Sequence, residues 1–152
     1  MLRRRFLQKL IHTLAGIGVT GFWPKDLFAN WPAEHFAGNS FSEQFRQVFA
    51  DKTITKSDAI KLQIPETAEN GAVVPLTIES SLTNISRIYL WVEKNPTPLA
   101  MELDLDAAMA VFITARIKMA ESCRVIVIAQ QGEHLLKTEQ WVNVMQGGCG
   151  TG

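Results

Sequence analysis

Hydrophobic positions in this chain change their period near residue 53. Before it, Phe41, Phe45, Val48 and Phe49 recur at helical spacing and give one apolar stripe over about ten residues. Ser40 stands where its hydroxyl can accept an amide hydrogen left unpaired by a first turn, so the spacing predicts a short helix near 40–50. Residues 30–39 read as a loop by composition. After Thr53 the period is two, and it predicts strands over Ile60–Ile64, Val73–Ser80, Ile85–Glu93, Leu99–Leu105, Val111–Met119, Cys123–Gln130 and Glu133–Val144, with room for a break in the last. Turn signals separate these runs at Glu69-Asn70-Gly71, Leu82-Thr83-Asn84, Asn95-Pro96-Thr97-Pro98 and Gln131-Gly132.

Two of these runs say which faces are covered. Arg87, Tyr89, Trp91 and Glu93 alternate with Ile88, Leu90 and Val92, as expected of a strand with one face in the core. Val125 to Ile128 is apolar throughout and reads as buried on both sides. About seven short strands at regular spacing, without helices between them, predict an all-β, antiparallel sandwich of immunoglobulin type, preceded by the short helix. Internal repeats are absent.

Composition fits a globular protein, with 47% hydrophobic and 20% charged residues, and 152 residues can bury one core. The formal net charge is zero but uneven: residues 1–29 hold five basic residues and one acid, leaving ten basic against fourteen acidic residues in the remainder. That balance argues against nucleic-acid binding, which needs positive charge gathered on one face.

The basic start belongs to an export signal. Arg3, Arg4, Phe6 and Leu7 fit the twin-arginine pattern R-R-x-F-L, and a weakly apolar stretch follows from Leu10 to Trp23. That stretch is shorter than the roughly 20 residues that span a bilayer. Leu27-Phe28-Ala29 offers a cleavage site, so residues 1–29 are expected to be removed on export to the periplasm. A plain secretory signal and an uncleaved anchor are the alternatives.

The immunoglobulin-like domain then covers residues 30–145, and residues 146–152 form a tail, Gln146-Gly147-Gly148-Cys149-Gly150-Thr151-Gly152. Glycine loses most entropy on ordering, so Gly147, Gly148, Gly150 and Gly152 predict a flexible arm. Five extended residues past Val144 would put the Cys149 sulfur roughly 17 Å from the domain. The thiol would then be a nucleophile or leaving group that reaches into other proteins' clefts, reacting as its thiolate. Three other uses remain open: an incidental cysteine on a frayed end, a disulfide with Cys123, or a cross-link between chains in an interaction module.

Three segments resemble the SoxY family, sulfur carriers of thiosulfate oxidation: Pro65 to Pro75, Ile117-Lys118-Met119, and Gly147-Gly148-Cys149-Gly150. The resemblance implies that Cys149 binds sulfur intermediates covalently and that the chain itself is not an enzyme and needs no cofactor. It further implies a heterodimer with a SoxZ-like subunit. The implied partner enzymes are a thiosulfate-ligating cytochrome and a hydrolase that releases sulfate. Family members usually end Gly-Gly-Cys-Gly-Gly; here Thr151 replaces the last glycine and Gly152 follows, which stiffens and widens the tip.

The remaining candidates weigh less. Cys123 opens an apolar run and is expected to be buried. His35 and His134 with the two cysteines lack metal-site spacing, so no metal is expected. Lys118 and Arg124 are surface charges that could lie near the arm. Trp91, Trp141 and Phe112 are expected in the core or an interface, and the Tyr89–Trp91 face is a candidate subunit contact. The acidic pairs Asp104/Asp106 and Glu66/Glu69 read as solvated turns.

Overall fold

A computed structural model describes residues 33–36, 40–50, 52–106 and 108–145. The twin-arginine signal and the whole arm, with Cys149, lie outside the described residues. Among these residues a 3₁₀ turn (Ala33–Phe36) and helix α1 (Phe41–Phe49) precede nine strands. These are β1 (Ile54–Lys56), β2 (Ile60–Gln63), β3 (Thr67–Ala68), β4 (Val74–Ser80), β5 (Arg87–Val92), β6 (Leu99–Asp104), β7 (Val111–Ile117), β8 (Cys123–Gln131) and β9 (His134–Val144). All seven expected strands form, and β9 runs unbroken. β1, β3 and the 3₁₀ turn are additions, each too short to show a period of its own.

The strands build two sheets. One has the order β1-β9-β8-β5-β6, with β3 also paired to β9, and the other has the order β2-β4-β7. Most neighbours are antiparallel, while β1 and β3 both run parallel to β9. Ile88, Leu90, Val125, Val127, Ala129 and Val142 from the first sheet meet Ile60, Val74, Leu76 and Ile78 from the second in one apolar core. This is an immunoglobulin-like β-sandwich. The β8–β9 connection is a two-residue turn with Gly132 at φ 57°, where a side chain would be strained.

Prolines mark the place where the chain changes sheets. In the β2–β4 ladder Gln63 lies opposite Thr77, so continuing the register would set Pro65 opposite Pro75. Neither has an N–H to donate, and the ladder stops there. The chain crosses instead to the other sheet, where Asn143 N donates to Glu66 O (2.8 Å) and Met145 N to Ala68 O (2.9 Å).

One expectation about burial is corrected. β5 is covered on both faces: Tyr89 is 4% exposed and Trp91 is fully buried. Their face is occupied by the chain's own α1, so it is not a free surface for a subunit contact. Phe41, Phe45 and Phe49 pack on Trp91 with ring centroids 5.8, 5.5 and 6.0 Å away, the first edge to face. The helix starts at Ser40, whose amide and hydroxyl donate to the Glu43 carboxylate (3.3 and 3.0 Å). Beside it, His35 Nδ1 lies 2.8 Å from Glu102 and Arg87 Nη1 lies 3.1 Å from the same carboxylate. Arg87 also pairs with Asp104 and donates to the Tyr89 hydroxyl, so Asp104 is engaged rather than solvated alone.

Trp91 is core as expected, but Phe112 and Trp141 are 67% and 48% exposed. Both sit on outward positions of their strands, and among the described residues no element covers them there. Among the described residues no helix is long and apolar enough to cross a membrane.

Candidate functional site

The described chain stops one residue beyond β9, so the geometry that bears on the arm is that of its root. Strand β9 is held there from both sides. Met145 N is fixed to Ala68 O on the β3 side, and Val144 N donates to Ser122 Oγ (2.8 Å) on the β8 side. Together these bonds anchor the backbone four residues before Cys149.

The turn after β3 closes on this root through a glycine. Met119 N donates to Gly71 O (2.7 Å), bringing the β7–β8 turn against the β3–β4 turn. A Cβ placed on Gly71 would stand 2.5 Å from Met119 O and 2.8 Å from Val144 Cγ1, closer than any real contact. Glycine is required by this close approach. Two of the three segments that carry the SoxY likeness thus touch each other and Val144, just ahead of the third. Asn70 was legible in sequence only as a turn residue; its Oδ1 accepts from Ala72 N (2.9 Å) and shapes that turn.

We expect Gly71→Ala to cost about 1–3 kcal/mol, as overpacking against fixed backbone does. It should also displace the end of β9. Urea unfolding measures the first, and amide shifts confined to residues near 71, 119 and 144 the second; wild-type stability would mean the turns open freely.

The sequence's charged candidates separate here. Arg124 is committed to Glu93 by two hydrogen bonds (2.7 and 3.1 Å), and this pairing holds the Glu93 carboxyl below its usual range. It is not a free charge for the arm. Lys94 pairs with Glu121 (3.1 Å). Lys118 is exposed and has no ion pair among the described residues.

Cys123 is fully buried, and burial pushes its thiol pKa up, so near neutral pH it stays a protonated, inaccessible thiol. His134 is exposed at the far hairpin, and His35 belongs to the Glu102 cluster. Among the described residues no group of three or more His, Cys, Asp or Glu is placed to hold a metal. Asp106 caps a turn by accepting from Ala108 N (2.9 Å), and Glu66 contributes its carbonyl to Asn143.

Comparison with known proteins agrees with this arrangement. The family model described as "Sulfur oxidation protein SoxY" matches residues 45–149, from the middle of α1 to the tail cysteine. Among solved structures, the sulfur carrier protein SoxY from Chlorobium limicola f thiosulfatophilum is similar, with a TM-score of 0.63 and 28% identity. The match covers 70% of this chain and 96% of that one. An engineered protein matches with a TM-score of 0.41 and 15% identity, over 57% of this chain and 20% of its own. No curated protein sequence matches. With the family match extending over most of its length, the chain belongs to the SoxY family of sulfur oxidation proteins.

Proposed function

We propose that the chain is a non-catalytic sulfur carrier that holds intermediates of thiosulfate oxidation covalently on Cys149 and presents them to partner enzymes. The observation that carries this reading is the anchored root of β9, with Cys149 four residues past Met145 in a segment of glycines. A fixed base and a thin tip are what a thiol needs to visit several active sites in turn. The second cysteine supports it by exclusion: Cys123 is fully buried, so pairing it with Cys149 would require opening the core. The SoxY structure, whose length the match nearly spans, is itself described as a sulfur carrier.

The chemistry follows from the thiolate. A partner oxidant removes two electrons as the Cys149 sulfur bonds the outer sulfur of thiosulfate, leaving an S-thiosulfonate with one negative charge. Hydrolysis by a second partner breaks the S–SO₃ bond, releases sulfate and two protons, and leaves a persulfide anion on the arm. The domains follow the same reading: residues 1–29 a twin-arginine signal, 30–145 the carrier domain, and 146–152 the arm, acting in the periplasm beside a SoxZ-like subunit.

Intact mass of protein purified from thiosulfate-oxidising cells, with and without reductant, tests this. A reducible sulfur adduct mapping to the tail peptide and not to Cys123 is expected. Unmodified thiol, or a Cys123–Cys149 disulfide, would overturn it.

A further inference from the structure

We infer that strand β7 is a docking edge for a second copy of this chain, pairing antiparallel with its own counterpart about a two-fold axis at Thr114. The inference goes beyond the carrier reading and does not depend on it. Besides two-residue β3, the outer strands among the described residues are β1 and β6 of one sheet and β2 and β7 of the other. Three of the four are guarded in ways that keep sheet edges from pairing. β1 has three residues and ends on Lys56, while β2 has four, with Lys61 among them and Pro65 soon after. β6 carries Glu102 and Asp104, and its register against β5 is broken by a bulge. β7 has seven residues, no proline, and Arg116 as its one charge. The flank it borders is also open. Ile113 and Ala115 pack on the core yet are only half-buried, and Phe112 on the outward face is 67% exposed.

The edge is its own complement. Full overlap of Val111–Ile117 with a second copy running the other way fixes the register, because the middle residue must then face itself. Thr114 lies opposite Thr114, Ile113 opposite Ala115 of the second copy, and Phe112 opposite Arg116 of the second copy. Two-fold symmetry makes each unlike pair occur twice, and Arg116 never meets its own copy. Moving the axis by one residue would set Phe112 opposite Thr114 or Lys118 and lose the match.

Charge supports the same register. Glu79 on β4 is the ladder partner of Phe112, so the outer row across the axis reads Glu79, Phe112, then Arg116 of the second copy. A guanidinium there can lie on the ring face with a carboxylate behind it. Glu79 accepts from Gln63 Nε2 (3.2 Å), and neither Glu79 nor Arg116 has an ion pair among the described residues. One strand pairing buries less than the roughly 1,600 Å² of a standard interface, so the dimer is expected to be weak, with a dissociation constant on the order of 10–100 μM.

Sedimentation velocity at rising concentration tests this, in a Cys149→Ser background so that a tail disulfide cannot mimic a dimer. A reversible monomer–dimer equilibrium is expected. Phe112→Arg sets like charges opposite each other twice, and Arg116→Glu sets a carboxylate beside Glu79; each should weaken the dimer about ten- to hundredfold. The double variant Phe112→Arg with Arg116→Glu makes the pairs complementary again and should regain affinity. On one strand the two positions lie roughly 13 Å apart, so rescue comes across the axis and not within a chain. Both positions are exposed, and unchanged urea midpoints would show that the variants fold. A monomer at every concentration, a double variant without rescue, or a dimer indifferent to both positions would overturn the self-pairing edge. So would a SoxZ-like subunit whose binding Phe112→Arg abolishes while the chain alone stays monomeric, which would assign the edge to that subunit. None of these outcomes touches the carrier reading, which stands or falls on the adduct found in cells.

Discussion

Trp91→Ala is expected to destabilise the domain by about 3–5 kcal/mol, the range for deleting a fully buried aromatic side chain. Trp91 is completely buried, and Phe41, Phe45 and Phe49 all pack on its ring. Removing it takes away the transfer free energy of the indole and leaves a cavity between two layers. α1 is only nine residues long, too short to hold together in water without tertiary packing. The loss should therefore appear both as a lower urea midpoint and as reduced helical signal in the native baseline. A shift below about 1 kcal/mol would mean that the helix docks through its other contacts, chiefly Phe49 on Tyr89 at 4.9 Å.

The helix also explains how far the sequence could be read. Alternation in Arg87 to Glu93 identified β5 and its inner face correctly, but period two says nothing of what covers the outer face. The stripe of Phe41, Phe45, Val48 and Phe49 and the row Tyr89, Trp91 were each legible as apolar surfaces; that they cover one another is a long-range fact. The same limit hid β3. Two residues, Thr67 and Ala68, carry no periodicity, and that Pro65 falls opposite Pro75 at the end of the β2–β4 ladder follows only from the pairing register. Phe112 and Trp141 differ in the opposite direction: they are exposed, so of core or interface only the second remains for them, since an aromatic on a strand is core only if its face is covered.

At the arm's root the missing information was steric. Gly71 in an Asn-Gly pair signals a turn, yet its importance comes from Met119 and Val144, 48 and 73 positions further on. The charges followed a similar course: Lys118 and Arg124 look equivalent in sequence, but Glu93 engages one and nothing described engages the other. Cys149 was the easiest residue to single out, because a cysteine with glycines on both sides is conspicuous in the sequence itself.

For that reason Cys149→Ser carries the sharpest functional expectation. Thiosulfate-dependent electron transfer in the reconstituted system should fall to the background of the partner enzymes alone, while urea stability stays within about 0.5 kcal/mol, as for an exposed substitution. The hydroxyl keeps the size and flexibility of the tip. It loses the thiolate, the form that the proposed carrier role uses to bond sulfur. Cys123 cannot substitute: it is fully buried, and burial keeps it protonated. Electron transfer from cytochrome partners, followed with thiosulfate in excess, measures the first effect and urea unfolding the second. Retained turnover with Ser at 149 would place the chemistry elsewhere in the complex. Lost turnover together with lost stability would assign the tail a structural part, and with it the cross-linking role that the two cysteines leave open in sequence.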